Sequence, residues 1–319
     1  MMFKFDKLFL QSVSMVVFLF ASLVQEQIEI QDSHGKYRFE KPPERVVVLN
    51  WALGEQMLEL GEVPVGFANI EGYQSHTGLT SMPEGVVDVG GRLSPKLREI
   101  RALKPDIILI GYSQRSLLRP LSNIATVIYF KNFGKRYNNH EKSEARFLEM
   151  AKLFDKTDMA KKILIERDRR FGELKAQLQS AFADHVLPTV QFIVPDKLDA
   201  SKRDSALVFG ENSMPYYAAQ ELGLAVLGAP ENDQFGTARL DKKELSELIS
   251  SRPSDLCELY LSSYAVDVKV DTEPLSGTDC AIELGYQNAF GGVMSVLYLA
   301  ESITQALLNS AVSDPSSSN

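Results

Sequence analysis

VVVLNWALGEQMLELGEVPVG (residues 46–66) and LVFGENSMPYYAAQELGLAVLG (residues 207–228) are two versions of one text. Each opens as an apolar, β-rich run, turns, enters a helix and leaves it at Glu-Leu-Gly before a second apolar run. A second pair follows in the same order, LREIRALKPDIILIGY (97–112) and LSELISSRPSDLCELYL (245–261). Each of these is an amphipathic helix stopped by proline, then a buried strand with an Asp near its start. Two such units about 150 residues apart predict two similar α/β lobes facing each other across a cleft.

The 319 residues allow two domains with substantial cores. A net charge of −8 argues against non-specific nucleic-acid binding, yet leaves room for a locally basic cleft. Residues 1–24 read as a signal peptide: Lys4 and Lys7 precede an apolar run from Leu8 to Val24, and Ala21 and Ser22 offer a cleavage point. Retained, the same run sits at the low edge of spanning length and would make the protein a membrane-anchored sensor. No cysteine lies near the cleavage point. The two thiols, Cys257 and Cys280, pair in an oxidising compartment or leave Cys257 as a buried free Cys in an apolar strand.

Residues 28–140 form the first lobe, beginning with a hairpin that turns at His34-Gly35. Residues 141–186 are helical. Within them Phe147, Met150, Ala151 and Phe154 mark one apolar face, Asp155 to Asp158 a break, and Met159 to about Ala183 a long helix. At 1.5 Å per residue that helix is roughly 37 Å long, enough to cross between lobes. A continuous helix resists bending, so the lobes are expected to rock by small angles around a preformed site. Residues 187–308 form the second lobe, and 309–319 a polar, disordered tail.

Enzyme signatures are absent from the sequence. There is no G-x-S-x-G elbow, no Walker loop and no G-x-G-x-x-G after a strand, and Gly90-Gly91 and Gly291-Gly292 lack phosphate-cradling spacing. His34, His76, His140 and His185 fall in four separate segments, which argues against direct capture of a metal ion. The loops after the expected strands are instead aromatic and cationic: Tyr73 to His76, Asp88 to Arg92, Tyr112 to Arg115, Phe209 to Met214, Gln234 to Gly236, and Tyr286 to Phe290. Open α/β sheets bind ligands at the carboxyl ends of their strands. Arg with Tyr suits an oxygen-rich, partly anionic ligand, because a guanidinium forks onto two oxygens and a phenol adds a donor and an apolar face. Singly, each has a structural reading: Arg92 as a solvated side chain, Tyr112 as an interior tyrosine.

LNWALGEQMLELGEVPVGFANIEGY, VVDVGGRLSPKLREIRALKPDIILIGY, LVFGENS and FGTARL together resemble the periplasmic iron-siderophore binding proteins of ABC importers, the ferric-hydroxamate (ferrichrome-type) binders most of all. The resemblance implies an α/β fold of two Rossmann-like lobes with mostly parallel sheets joined by one long helix, the class III-type arrangement. It implies that Arg92 and Tyr112 contact the iron-bound oxygens, that Tyr73 falls on a family tyrosine of the pocket, and that aromatics line the rest. Trp51 is also expected among the ligand-binding residues, its fluorescence quenched by the bound ligand. His76 and Phe235 stand where the ferrichrome binder has Trp, and Asn288 and Phe290 replace other aromatics. Those changes make the pocket more polar and roomier, suited to a citrate-based hydroxamate as much as to ferrichrome. Importer docking in the family uses an acidic residue per lobe; the matching positions are Arg98 and Lys243, with Glu99 and Glu244 beside them. Either the neighbours dock or they are solvated helix faces.

The expected function is therefore that of a periplasmic, monomeric, non-enzymatic binding protein. It takes Fe3+ inside a ferric siderophore, holds no metal directly, and hands the complex to an inner-membrane ABC permease. A ferric catecholate, heme or corrinoid is the alternative ligand, although a trianionic catecholate calls for several converging cations and Arg92 with Arg115 is the one evident pair. A two-lobed enzyme or chelatase would need a nucleophile or metal cluster that the sequence lacks.

Overall fold

The computed structural model describes residues 27–77, 81–131, 133–136, 138–183, 185–195, 205–229, 233–250, 253–262 and 280–313. Strands β1 (Ile28–Gln31) and β2 (Lys36–Phe39) form the expected antiparallel hairpin. Its turn is held by Asp32, whose Oδ1 accepts from the backbone N–H of His34 (2.6 Å) and Gly35 (2.8 Å). The other oxygen of Asp32 accepts from Tyr129 N–H at 2.9 Å and docks the hairpin on the first lobe.

That lobe is built on β3 (Val46–Val48), β4 (Gly66–Phe67), β5 (Val87–Asp88), β6 (Ile107–Ile110) and β7 (Thr126–Tyr129), in the order β5-β4-β3-β6-β7. Every pairing is parallel. Each residue of β3 and β6 is buried, which is why both read as unbroken apolar runs. Helices α1 (Trp51–Glu59), α2 (Ile70–Thr77) and α3 (Leu97–Ala102) connect them, and a 3-10 turn at Tyr112–Leu117 runs into α4 (Leu118–Ser122).

Helices α5 (Asn139–Leu153) and α6 (Thr157–Ala181) follow, broken at Asp155, which takes a positive φ of 54°. Near its start α6 puts Ala160, Ile163 and Leu164 against the first core; further on it puts Phe171, Leu174 and Leu178 into the second. One continuous helix thus belongs to both lobes. Between those groups Arg167 is 2% exposed and donates to Glu144 and Asp168, with His140 Nε2 at 3.3 Å. The His140 ring stacks on Tyr217 of the second lobe at 3.5 Å, and burial together with the Arg167 charge pushes His140 down to about 3.

The second sheet contains β8 (Thr189–Pro195), β9 (Ser205–Phe209), β10 (Thr237–Asp241), β11 (Leu256–Ser262) and β12 (Cys280–Tyr286), in the order β10-β9-β8-β11-β12. Helices α7 (Met214–Glu221), α8 (Lys242–Ser250) and α9 (Ser295–Ser313) pack with it. Two of its four pairings are parallel and two antiparallel, because β9 runs against both its neighbours, so the expectation of mostly parallel sheets holds for the first lobe only. The likeness of 207–228 to 46–66 therefore overstates the symmetry. Only 196–204 separate β8 from β9, too few for the crossover of a dozen or more residues that a parallel neighbour needs. The second apolar run of that copy makes only an isolated bridge, Val226 to Val190.

Cys257 and Cys280 form a disulfide between paired positions of β11 and β12. Helix α9 reaches into the segment read as a tail, continuing to Ser313, since Ala311 and Val312 extend a helix as readily as the residues before them; residues 314–319 lie outside the described residues. Among the described residues no helix is long and apolar enough to cross a membrane, and the segment read as a signal peptide lies outside them.

Candidate functional site

A cavity of about 320 Å³ opens where the two lobes meet. Its first-lobe wall comes from the carboxyl ends of three parallel strands and the loop after a fourth, as the open-sheet rule requires. After β3 come Asn50, Trp51 and Ala52; after β6, Gly111, Tyr112 and Ser113; after β7, Phe130; after β5, Arg92. Phe133, Phe235, Asn288 and Phe290 close the other side.

Each polar group is held by its own local structure. Asn50 caps α1, its Oδ1 accepting from Leu53 N–H at 3.2 Å. Trp51 donates its indole N–H to the Ala68 carbonyl at 2.9 Å, so the ring is fixed. Arg92 rides on a tight loop made by Asp88-Val89-Gly90. Asp88 accepts from Gly90 N–H at 2.7 Å, Gly90 takes a φ of 88°, and a bridge to Pro95 closes the loop. That φ favours glycine, and a Cβ there would also press on Lys96.

The loop sets the Arg92 guanidinium over the Trp51 ring, with Cζ 3.8 Å from the ring centroid. Contact with an aromatic face restrains the side chain before any ligand arrives and suits a planar, weakly hydrated cation. Gly111 N–H donates to buried Gln114 (3.1 Å), which anchors the turn carrying Tyr112. Tyr112 is 36% exposed, and Lys131 Nζ lies 5.5 Å from its ring centroid. Phe133, Phe235 and Phe290 make an aromatic chain with centroids 5.2 Å and 5.7 Å apart. Phe290 is 41% exposed at the mouth. Among the described residues the lining holds a guanidinium, phenol, hydroxyl and amides, with no carboxylate.

The structure thus brings Arg92, Tyr112, Trp51, Phe235, Phe290 and Asn288 to one cavity. Tyr73 is a correction. It is fully buried in the first core, 4.9 Å from Phe67 and edge-on to Trp51 at 6.1 Å, so it supports the Trp51 ring from behind and does not line the cavity. The reading erred because α2 turns Tyr73 inward where a loop was expected. His76 lies in α2, and its side chain is outside the described set. Arg115 is exposed and off the lining, so it is no partner for Arg92 there. The 209–214 segment goes elsewhere: Asn212 accepts from Asn139 N–H (2.7 Å) and donates to the Gly134 carbonyl (3.1 Å), joining the lobes.

Asn288 lines the cavity, but its amide donates to Glu55 (2.8 Å) and Ser295 (3.1 Å). Glu55, Asn50, Ser113, Phe130, Phe133 and Lys131 were missed by sequence reasoning. Applying the strand-end rule to the Thr126 strand would have found Phe130, and the N-cap position after the VVVL strand would have found Asn50. Glu99 and Glu244 are exposed on α3 and α8. Glu244 also accepts from Asp241 N–H at 2.9 Å and completes a reciprocal cap with Asp241, which gives it a local structural task.

Comparison with known proteins shows which family this fold belongs to. The crystal structure of the Fe3+–Desferal-bound siderophore-binding protein FhuD from Vibrio cholerae superposes with a TM-score of 0.74 at 35% identity, covering 83% of this chain and 98% of that one. The Fe(3+)-citrate-binding protein YfmC of Bacillus subtilis is 31% identical over 150 residues, 47% of each chain. The iron(3+)-hydroxamate-binding protein FhuD of Escherichia coli is 26% identical over 204 residues, 64% of this chain and 66% of that protein. The chain thus spans about half the length of the first of these curated relatives and 66% of the second. The periplasmic binding protein family model matches residues 46–248, and the chain belongs to that family.

Proposed function

We propose that this protein captures a ferric siderophore in the inter-lobe cavity and delivers it, from the periplasm, to an inner-membrane ABC importer. The observation that carries the reading is Arg92 held over Trp51 at 3.8 Å beside Tyr112, in a cleft lined by aromatics and free of carboxylates among the described residues. A ferric hydroxamate or citrate complex presents a cluster of negatively polarised oxygens around the metal and an apolar or polar periphery. Arg92 and Tyr112 donate to the oxygens, and Phe235 and Phe290 cover the periphery. Iron is cargo here, coordinated by the siderophore. No group of three or more His, Cys, Asp or Glu among the described residues is arranged to hold it directly.

Lys131, beside Tyr112, adds a second cation near the mouth, which favours complexes that carry an extra carboxylate, such as citrate-based hydroxamates. The B. subtilis citrate binder and the V. cholerae Desferal binder are relatives in keeping with that range. Importer docking falls to the exposed faces bearing Glu99 and Glu244.

The test is a thermal-shift screen of the mature protein against ferric hydroxamates, ferric citrate, ferric catecholates, heme and a corrinoid, since a ligand that binds the native state raises Tm. A selective rise with ferric hydroxamate or citrate complexes, with quenching of the lone Trp51, is expected. Tight binding of bare Fe3+ or Zn2+ with no response to any siderophore would sink the reading.

A further inference from the structure

Behind Asn288 of the cavity lining, a buried carboxylate joins the two lobes. Glu55 sits one turn after Trp51 on α1 and is 1% exposed. Its described hydrogen bonds all go to the second lobe. The Ser295 hydroxyl lies 2.6 and 2.7 Å from its two oxygens, Asn288 Nδ2 donates at 2.8 Å, and the backbone N–H groups of Ser295 and Gly292 donate at 3.2 and 3.3 Å. These donors cluster at the start of α9, where the helix dipole also favours negative charge. Gly291 and Gly292 make the approach possible: a Cβ on Gly291 would meet Ser295 Oγ at 1.9 Å, and one on Gly292 would meet Gln56 Cγ at 2.8 Å.

We propose that Glu55 is a positioning residue for the cavity: its carboxylate clamps the 288–295 loop of the second lobe onto α1 and so fixes where Asn288 and Phe290 meet the ligand. The proposal rests on the cavity being the ligand site. Four donor groups converge on Glu55, and an ionised carboxylate accepts from all of them, whereas a protonated one gives up an acceptor. Burial pushes Glu55 up to about 7, against the bonds from Ser295, Asn288 and Gly292 that favour the charged form, and Glu59 adds repulsion. The other titratable groups facing it are few. Burial raises Glu59, and Tyr298 of α9 donates to Glu59 at 3.2 Å. From α5, Ser143 meets Gln56, Arg146 donates to the Gln31 carbonyl and Lys142 lies beside Arg146; β3 carries no charge.

The clamp is therefore complete above neutral pH and loosens below it. Stability runs the other way. A raised carboxylate favours the fold most below its ordinary value near 4.5, and that contribution is lost as pH rises through about 7. Binding and stability moving oppositely with pH is a signature that a purely structural role would not give.

The test follows Trp51 emission of the ligand-free protein from pH 5 to 9, with affinity for ferric desferrioxamine and ferric citrate over the same range. Wild type should show an emission transition near neutral pH, and roughly fivefold weaker binding at the acid end, as for one lost hydrogen bond. Glu55→Gln should abolish the transition and bind weakly at every pH; Glu59→Gln should retain it. Ser295→Ala, which removes a bond that favours the charged form, should move the midpoint upward. A transition that survives in Glu55→Gln, a wild type without one, or an unmoved midpoint in Ser295→Ala overturns the assignment. If neither ferric complex binds wild type, the ligand reading fails, and the Trp51 titration still decides the role of Glu55.

Discussion

The two lobes divide the work of the cavity unequally. The first has five strands running one way, and their carboxyl ends deliver Asn50, Tyr112 and Ser113, with Arg92 on the loop after β5. The second has one reversed strand and a disulfide, and contributes Phe235, Phe290 and an Asn288 whose amide is already engaged by Glu55. On the proposed reading, polar recognition falls to the lobe whose topology concentrates loops on one edge, and shape to the other. A duplicated text does not produce duplicated roles.

Variants can break this division. The largest effect is expected on stability: removing the Cys257–Cys280 bridge with paired serines should cost about 3 kcal/mol, from the loop it closes in the unfolded chain. Unfolding followed by far-UV circular dichroism should move more than unfolding followed by Trp51, which reports the first lobe. Equal displacement of both would show that the lobes unfold as one unit. Next, Arg92→Ala should weaken ferric-siderophore binding by about 2 kcal/mol, the range for a charge-assisted hydrogen bond, measured by quenching titration. Phe290→Ala and Phe235→Ala should each cost about 1 kcal/mol and change which complexes bind. A Phe290 effect exceeding that of Arg92 would reverse the assignment of the lobes. Lys131→Met should be the smallest, a few tenths to 1 kcal/mol, and confined to carboxylate-bearing complexes.

Much of this was legible beforehand. The apolar runs at 46–49 and 107–110 are covered on both faces and announce parallel strands, while the break at Asp155 and the length of α6 announce the bridge. Arg92 and Tyr112 were visible because a motif and a strand end put them on one edge. Tyr73 was not, since periodicity cannot tell which face of a short helix turns inward. Nor was Glu55. A carboxylate in an amphipathic helix reads as solvated until the loop 233 residues away that buries it is placed. The reversed β9 was deducible from its short link to β8, a length that the likeness between the two copies obscured.

The most direct measurement is the iron position in crystals grown with a bound ferric hydroxamate, located by anomalous scattering. Iron should lie between Arg92 and Tyr112, coordinated only by siderophore oxygens, with Phe235 and Phe290 against the organic periphery. Iron bonded directly to protein side chains, or a complex seated in the separate groove between Arg136 and Tyr216, would contradict the assignment of the cavity.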